Sequence, residues 1–546
     1  MSIYDMLVDE SADLVDGDGP PKIVWGNFEL HALEERFSVF HEFMVIMDLP
    51  QVIPVPTDEA GVLDSDGEQE EKPLAEEKTQ GTLKQMCSCP PQGVIAQVIT
   101  NVAIAALVWG LTWVLTGKGS LPNGEIFGIV ALYFSSVLGG KIMQLIKIPG
   151  LPPLPRLLGM LLAGFLIRNI KFVSQYIRIK VEWGTILRNI ALSIILALAG
   201  LGLDPKALSK LKGICFRLSM GPCITEACST AVISHFLLDF PWEWGFMLGF
   251  VLGAVSPAVV VLSMLMLQKQ GYGVDQGIPT LLIAASSMDD IVAITGFNTF
   301  LGMAFSTGST LRSVFHGLAE VVIGAGAGCL LGFFVWYFPS KDQTAIVWKR
   351  TFFVLGLAAF SLLSSKYSDL PGSGGLCVIV LAFLAGIAWS DEKKAVEEIV
   401  TFAWHVFQPF LFGLIGAEIS VSSLGAKTLG LCLATMSLAL TIRVMITFVL
   451  VSAAGFAFKE KIFIALAWIP KATVQAAIGS VALDTAQQSK MEKLEEYGLY
   501  IVTMAFLAIL ITAPAGTLII GLLGPKLLQK STKVSEGSLP KVHSPV

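Results

Sequence analysis

The sequence predicts an all-α, polytopic membrane protein of about 14 spanning helices, built as two inverted repeats with crossed, broken helices. Three observations carry this. The 546 residues are 54% hydrophobic and only 15% charged, with a mean hydropathy of +0.70, which is too apolar for an ordinary soluble chain. From Gly93 onward, apolar runs follow one another with short loops between them. Two of those runs are interrupted in their middles by residues that break or charge a helix at membrane depth.

Residues 1–93 read as an acidic, largely disordered cytosolic region. Within it Leu30, Leu33, Phe37, Phe40 and Met44 recur at helical spacing, so 28–47 is expected to form an amphipathic helix and to be the site for any protein partner. The prolines and acids of 51–80 read as a linker. The chain opens without an early apolar core, so no cleavable signal is expected and the first span must start insertion. The transmembrane domain is placed at 94–524. Its spans are read near 94–116, 126–146, 154–169, 184–203, 212–238, 243–268, 278–305, 314–337, 351–365, 373–389, 402–422, 428–456, 461–484 and 497–523. A short cytosolic tail, 525–546, follows. An even number of spans puts both termini on one side, and a roughly twofold excess of Lys and Arg makes that side the cytosol. One outer loop dissents, with Arg168, Lys171, Arg178, Lys180 and Arg188.

The interruptions are Gly253-Ala-Val-Ser256-Pro257 in the sixth span and Phe412-Gly413-Leu-Ile-Gly416-Ala-Glu418 in the eleventh. They lie five spans apart, as two inverted five-helix repeats require. Unwound carbonyls and helix ends at such crossings can meet an ion. Between the two breaks lies Ser286-Ser-Met-Asp289-Asp290, in the middle of the apolar run 277–305. Each Asp at a helix centre costs roughly 2.5–3.5 kcal/mol, which a chain retains when the carboxylates handle ions or protons. A solvated acidic loop is the plainer reading, but apolar residues continue on both sides.

Glu226, Arg443, Lys471 and Glu418 are the other ionisable residues inside apolar runs. Unpaired charges in low dielectric neutralise or find counter-ions, so Glu226 and Arg443 are expected to pair. Lys471, after Trp468-Ile-Pro470, is expected near the two aspartates, where an arriving cation would displace its ammonium. A carboxylate pair that holds either a proton or Na⁺, but not both, enforces exchange. The transported Na⁺ is thus the metal assigned to Asp289 and Asp290. The net charge of −6 says little, and nothing resembles a basic nucleic-acid surface. The eight cysteines lie mostly in apolar runs and read as small buried residues. Cys87-Ser-Cys89 is too weak a motif to imply a metal or lipid site.

The Met-Asp289-Asp290-Ile, Gly-Ala-Val-Ser-Pro257, Leu-Phe-Gly-Leu-Ile-Gly-Ala-Glu418 and Trp-Ile-Pro-Lys471-Ala-Thr-Val-Gln motifs together resemble the sodium/proton antiporters of the NHA type. These form solute carrier family 9, subfamily B, in the cation/proton antiporter superfamily. Within the subfamily, Ser-Ser-Met-Asp-Asp is more similar to the male-germline member 1. The resemblance implies a homodimer in membrane lipid, with a dimerisation domain and a core (transport) domain that moves like an elevator. It implies exchange of Na⁺ or Li⁺ for H⁺, no enzymatic activity and no cofactor. It also implies regulation of intracellular pH and sodium from the plasma membrane, the sperm flagellum for a member 1-like protein. Asp290 matches the principal ion-binding aspartate, Asp289 its neighbour, Lys471 the associated lysine, and Glu226 with Arg443 the subfamily's charged pair. The chain departs from the pattern at Leu198, where an arginine is usual, and at Leu262, where a proline is. These departures support a rival reading, a transport-weak paralogue acting as a regulatory or interaction subunit. The intact Asp289, Asp290 and Lys471 oppose it. Adjacent acids suit neither an intramembrane aspartyl protease nor an organic-anion symporter.

Overall fold

The computed structural model describes residues 94–146, 152–177, 179–203, 212–305, 310–368, 370–389, 392–421, 425–489 and 492–531. The expected amphipathic helix at 28–47, the acidic linker, Cys87, Cys89 and most of the tail lie outside them. Contacts divide the chain into two units, Met1–Trp109 and Gly110–Val546. The described part of the first is helical and largely exposed.

The helices in order are α1 (Val94–Thr116), α2 (Glu125–Leu145), α3 (Arg156–Asn169), α4 (Val181–Gly202), α5 (Lys212–Leu238), α6 (Trp242–Gly253), α7 (Pro257–Lys269), α8 (Ile278–Phe305) and α9 (Thr310–Tyr337). They continue as α10 (Ile346–Tyr367), α11 (Pro371–Ala388), α12 (Lys393–Glu418), α13 (Ala426–Ser452), α14 (Phe458–Ala467), α15 (Thr473–Ile478), α16 (Val481–Ser489) and α17 (Glu492–Leu527). All fourteen expected spans have helical counterparts. Among the described residues, ten candidate spans are long and apolar enough to cross a membrane, with α6 and α7 counted together. The other four are α3, which has 14 residues, the short α11, the polar-interrupted α5 with Pro222 inside it, and the broken α14–α16. Large apolar side chains such as Leu115, Leu145, Phe352 and Val449 are exposed, as lipid-facing positions should be. Leu262 is exposed among them and Leu198 packs at the edge of the core.

Within the second unit the helices pack in two groups. One holds α2–α4 and α9–α12; the other holds α5–α8 and α13–α17. They meet where α8 touches α9 and α11, and where α15 lies against α4 and α12.

The first break is where the sequence placed it, between α6 and α7. Ser256 precedes Pro257, which occupies the first turn of α7, where its missing N–H costs nothing. The second break is not at Gly413, Gly416 and Glu418. Helix α12 runs through all three, and its glycines instead admit a neighbouring backbone. A Cβ at Gly416 would overlap the carbonyl oxygen of Leu161, and one at Gly164 that of Gly413. They are contact glycines for α3, and Glu418 closes the helix. The real second break separates α14 from α15, from Trp468 through Ala472. Pro470 lies within it, and a proline supplies no N–H to continue a helix. The two breaks are therefore seven spans apart, not five.

Candidate functional site

The two breaks touch directly, since Ser256 N–H donates to Pro470 O (2.8 Å). Breaking α6 leaves its last carbonyls without helical partners, and three side chains from elsewhere in the chain supply them. Gln475 Nε2 donates to Val251 O (2.8 Å) and to Ala254 O (2.9 Å). Lys471 Nζ donates to Leu252 O and Arg443 Nη1 to Gly253 O. Four successive carbonyls are thereby satisfied, two of them by cations at the negative end of a helix. Arg443 also donates through Nε to Trp468 O (3.1 Å), on the second break. It thus holds both broken helices from α13. Thr512, on α17, accepts from Lys471 N–H (2.9 Å).

The acids assemble around these cations. Glu226 Oε2 accepts from Arg443 Nη1 and from Lys471 Nζ (2.8 Å). Asp289 Oδ2 accepts from Arg443 Nη2 (3.2 Å) and from Val255 N–H (2.7 Å), the first free amide of the break. Both Asp289 and Asp290 are buried, at 0% and 4% exposure, and the Oδ1 of each has no hydrogen-bond partner among the described residues. Buried carboxylate oxygens are seldom left so. Asp289, Asp290, Glu226, Arg443 and Lys471 are therefore gathered at one crossing. Glu226 and Arg443 pair as the charge argument expected, but Arg443 reaches on to Asp289, so the motif is a chain of ion pairs. Lys471 differs from expectation. Its bonds go to Glu226 and Leu252, and the cation hydrogen-bonded to Asp289 is Arg443.

Glu418 belongs elsewhere, in a cluster the sequence reading did not find. Arg188 on α4 bonds Asp484 on α16 (2.5 and 3.2 Å) and Glu418 on α12 (3.1 Å). Arg188 is 2% exposed. It does not belong to the dissenting outer loop, because it lies a third of the way into α4. That placement could have been read from its apolar flanks, Ile186-Leu187 and Ile190-Ala-Leu192. Gln475 and Thr512, being uncharged in apolar runs, gave no comparable signal.

The crossing holds three carboxylates against two cations. Fully ionised it carries one uncompensated negative charge, which either one monovalent cation or one proton removes. Comparisons with known proteins give the family. The family described as "Sodium/hydrogen exchanger, transmembrane" matches residues 130–530. Mouse sodium/hydrogen exchanger 9B2 is 59% identical over 481 residues, which cover 88% of each chain. Human sodium/hydrogen exchanger 9B1 is 56% identical over 443 residues, 81% of this chain and 86% of the relative. Overall identity thus does not single out the 9B1 likeness that Ser286–Asp290 suggested. Among solved structures, the sodium proton antiporter MjNhaP1 from Methanocaldococcus jannaschii superposes with a TM-score of 0.57, covering 74% of this chain and 99% of its own at 19% identity, a likeness of fold. The chain is a multi-pass membrane protein of the sodium/hydrogen exchanger family, in the cation/proton antiporter superfamily.

Proposed function

We propose that the protein exchanges Na⁺ or Li⁺ for H⁺ at Asp289 and Asp290, the two ligands competing for one site. The observation that carries this reading is the charge imbalance at the crossing, three buried acids on two bases. Empty and ionised, the site bears a charge in low dielectric and is penalised on any path through the bilayer. Loaded with either ligand it is balanced and can move. Asp290 is the principal carrier, since among the described residues no cationic side chain hydrogen-bonds it and its Oδ1 is unpartnered. Glu226, Arg443 and Lys471 keep the two broken helices together while the load changes.

The two helix groups suit elevator-type alternating access. The group with the crossing would move as the core domain, and α2–α4 with α9–α12 would serve as the dimerisation domain of a homodimer. Both termini are assigned to the cytosol on the Lys and Arg bias. The implied setting is the plasma membrane, and the implied role is control of intracellular pH and sodium. Purified protein in liposomes should move protons when Na⁺ or Li⁺ is added, read with a trapped pH dye. Asp290→Asn should abolish that flux while still folding. Wild-type rates in the variant would remove Asp290 from the mechanism.

A further inference from the structure

Gln475 is fully buried and sits in the second broken helix, yet both N–H groups of its amide are spent on the first. One goes to Val251 O and the other to Ala254 O. Turning the amide over would set Oε1 against those two carbonyls, acceptor against acceptor, so chemistry fixes its orientation. Ala254 C=O and Val255 N–H belong to a single peptide group, whose atoms are coplanar. That N–H is the 2.7 Å donor to Asp289 Oδ2. The Ala254 residue is extended, with φ −76° and ψ 139°, and no helix bond holds the peptide. Between flanking residues that are themselves held, at Gly253 O by Arg443 and at Ser256 N–H by Pro470 O, its plane is set by what its own two ends meet, Gln475 at the oxygen and Asp289 at the nitrogen.

We infer that Gln475 is a positioning residue for cation binding, acting on Asp289 through the Ala254–Val255 peptide. It holds the carbonyl, which aims the amide, which fixes the carboxylate whose other oxygen, Oδ1, is left unpartnered. Accepting at the carbonyl also polarises the N–H at the far end of the same group, which strengthens its bond to an anion. Arg443 anchors the same carboxylate from α13, and Lys471, Glu226, Asp290 and Cys223 complete its charged and titratable surroundings. Among the described residues, none of these is hydrogen-bonded to the Ala254–Val255 peptide. Gln475 therefore has a task that they do not cover, and it carries that task without adding charge to a site whose balance is one short.

This inference rests on the assignment of Asp289 and Asp290 as the ion site. The test measures Na⁺-driven proton flux against Na⁺ concentration in liposomes holding the full chain, for wild type, Gln475→Met and Gln475→Asn, with Asp290→Asn alongside. Methionine keeps the length and volume and loses both donors. Its apparent KM for Na⁺ should rise about five- to tenfold, with the maximal rate per folded protein held within about twofold. Asparagine keeps the donors on a shorter arm and should fall between the two. A structural role alone would lower thermal stability or folded yield and leave KM where it was; an unchanged KM in Gln475→Met overturns the inference. If that variant does not fold, Gln475→Asn decides, since a wild-type KM there overturns it equally. Failure of the underlying assignment looks different. Asp290→Asn would then transport like wild type, whatever Gln475 does.

Discussion

Substituting Glu226 tests the charge chain at its centre. Glu226 is 1% exposed and takes two cationic donors, Arg443 and Lys471. Glu226→Gln keeps the shape and removes the charge: both donors meet Oε2, so the amide oxygen can take that place and accept from each, but as a neutral group. Arg443 keeps Gly253 O, Trp468 O and Asp289, and Lys471 keeps Leu252 O. Both cations therefore stay dry while losing their shared anion, and breaking a buried pair from one side costs about 3–5 kcal/mol. At about 2 °C per kcal/mol for a large domain, melting should fall by roughly 6–10 °C. The substitution also changes the balance to two carboxylates on two cations, so the site gains less from a bound cation and the KM for Na⁺ should rise at least about tenfold. Thermal unfolding of purified protein, with Lys471→Met and the double variant completing a cycle, separates the terms. The double variant should be less damaged than the sum of the singles by about 1–3 kcal/mol. A melting point within about 2 °C of wild type, with additive effects in the cycle, would show that Glu226 does not join the two cations.

Two further outcomes concern the scaffold. Asp484→Asn removes the buried anion facing Arg188 and one of its two acceptor oxygens, leaving the partly exposed Glu418 as the charged partner, so the melting point should drop by about 4–8 °C; an unmoved thermal scan would mean the cluster does not form in the folded protein. Gly164→Val would drive a branched side chain into the backbone of α12 at Gly413, and should leave no monodisperse protein on size exclusion. Normal yield and stability would rule out so close an approach of the two helices.

The sequence made the membrane fold legible because hydropathy is a local property and most spans satisfy it alone. It made the charged crossing legible for a similar reason. Asp289, Asp290, Glu226, Arg443 and Lys471 are each improbable where they stand, and an improbable charge needs a partner before any fold is known. The second break was misplaced because glycine carries two meanings in a membrane helix. At Gly413 and Gly416 it marks close packing, whereas the real interruption was signalled by Pro470, beside a lysine already singled out for its charge. Connectivity among the charges could not be read at all. Whether Lys471 meets Asp290 or Glu226 depends on the conformation of the five unwound residues, Trp468 through Ala472, of which it is one.

That connectivity constrains which group gives way when a cation arrives. Lys471 and Arg443 are bound to backbone carbonyls of the first break as well as to acids. Moving either one away would expose orphaned carbonyls in a dry interior, each costing several kcal/mol unless water follows. An ammonium displaced from the aspartates, as the sequence suggested, would therefore uncap α6 at the moment of loading. The acceptors free of that cost are the Oδ1 atoms of Asp289 and Asp290, unpartnered among the described residues. Loading there adds a ligand without breaking a bond, and the cations remain as fixed counter-charges. On this account Lys471→Gln, which keeps a donor for Leu252 O, should weaken exchange yet leave it dependent on Asp290, and a fully active Asp290→Asn/Lys471→Gln double variant would refute it.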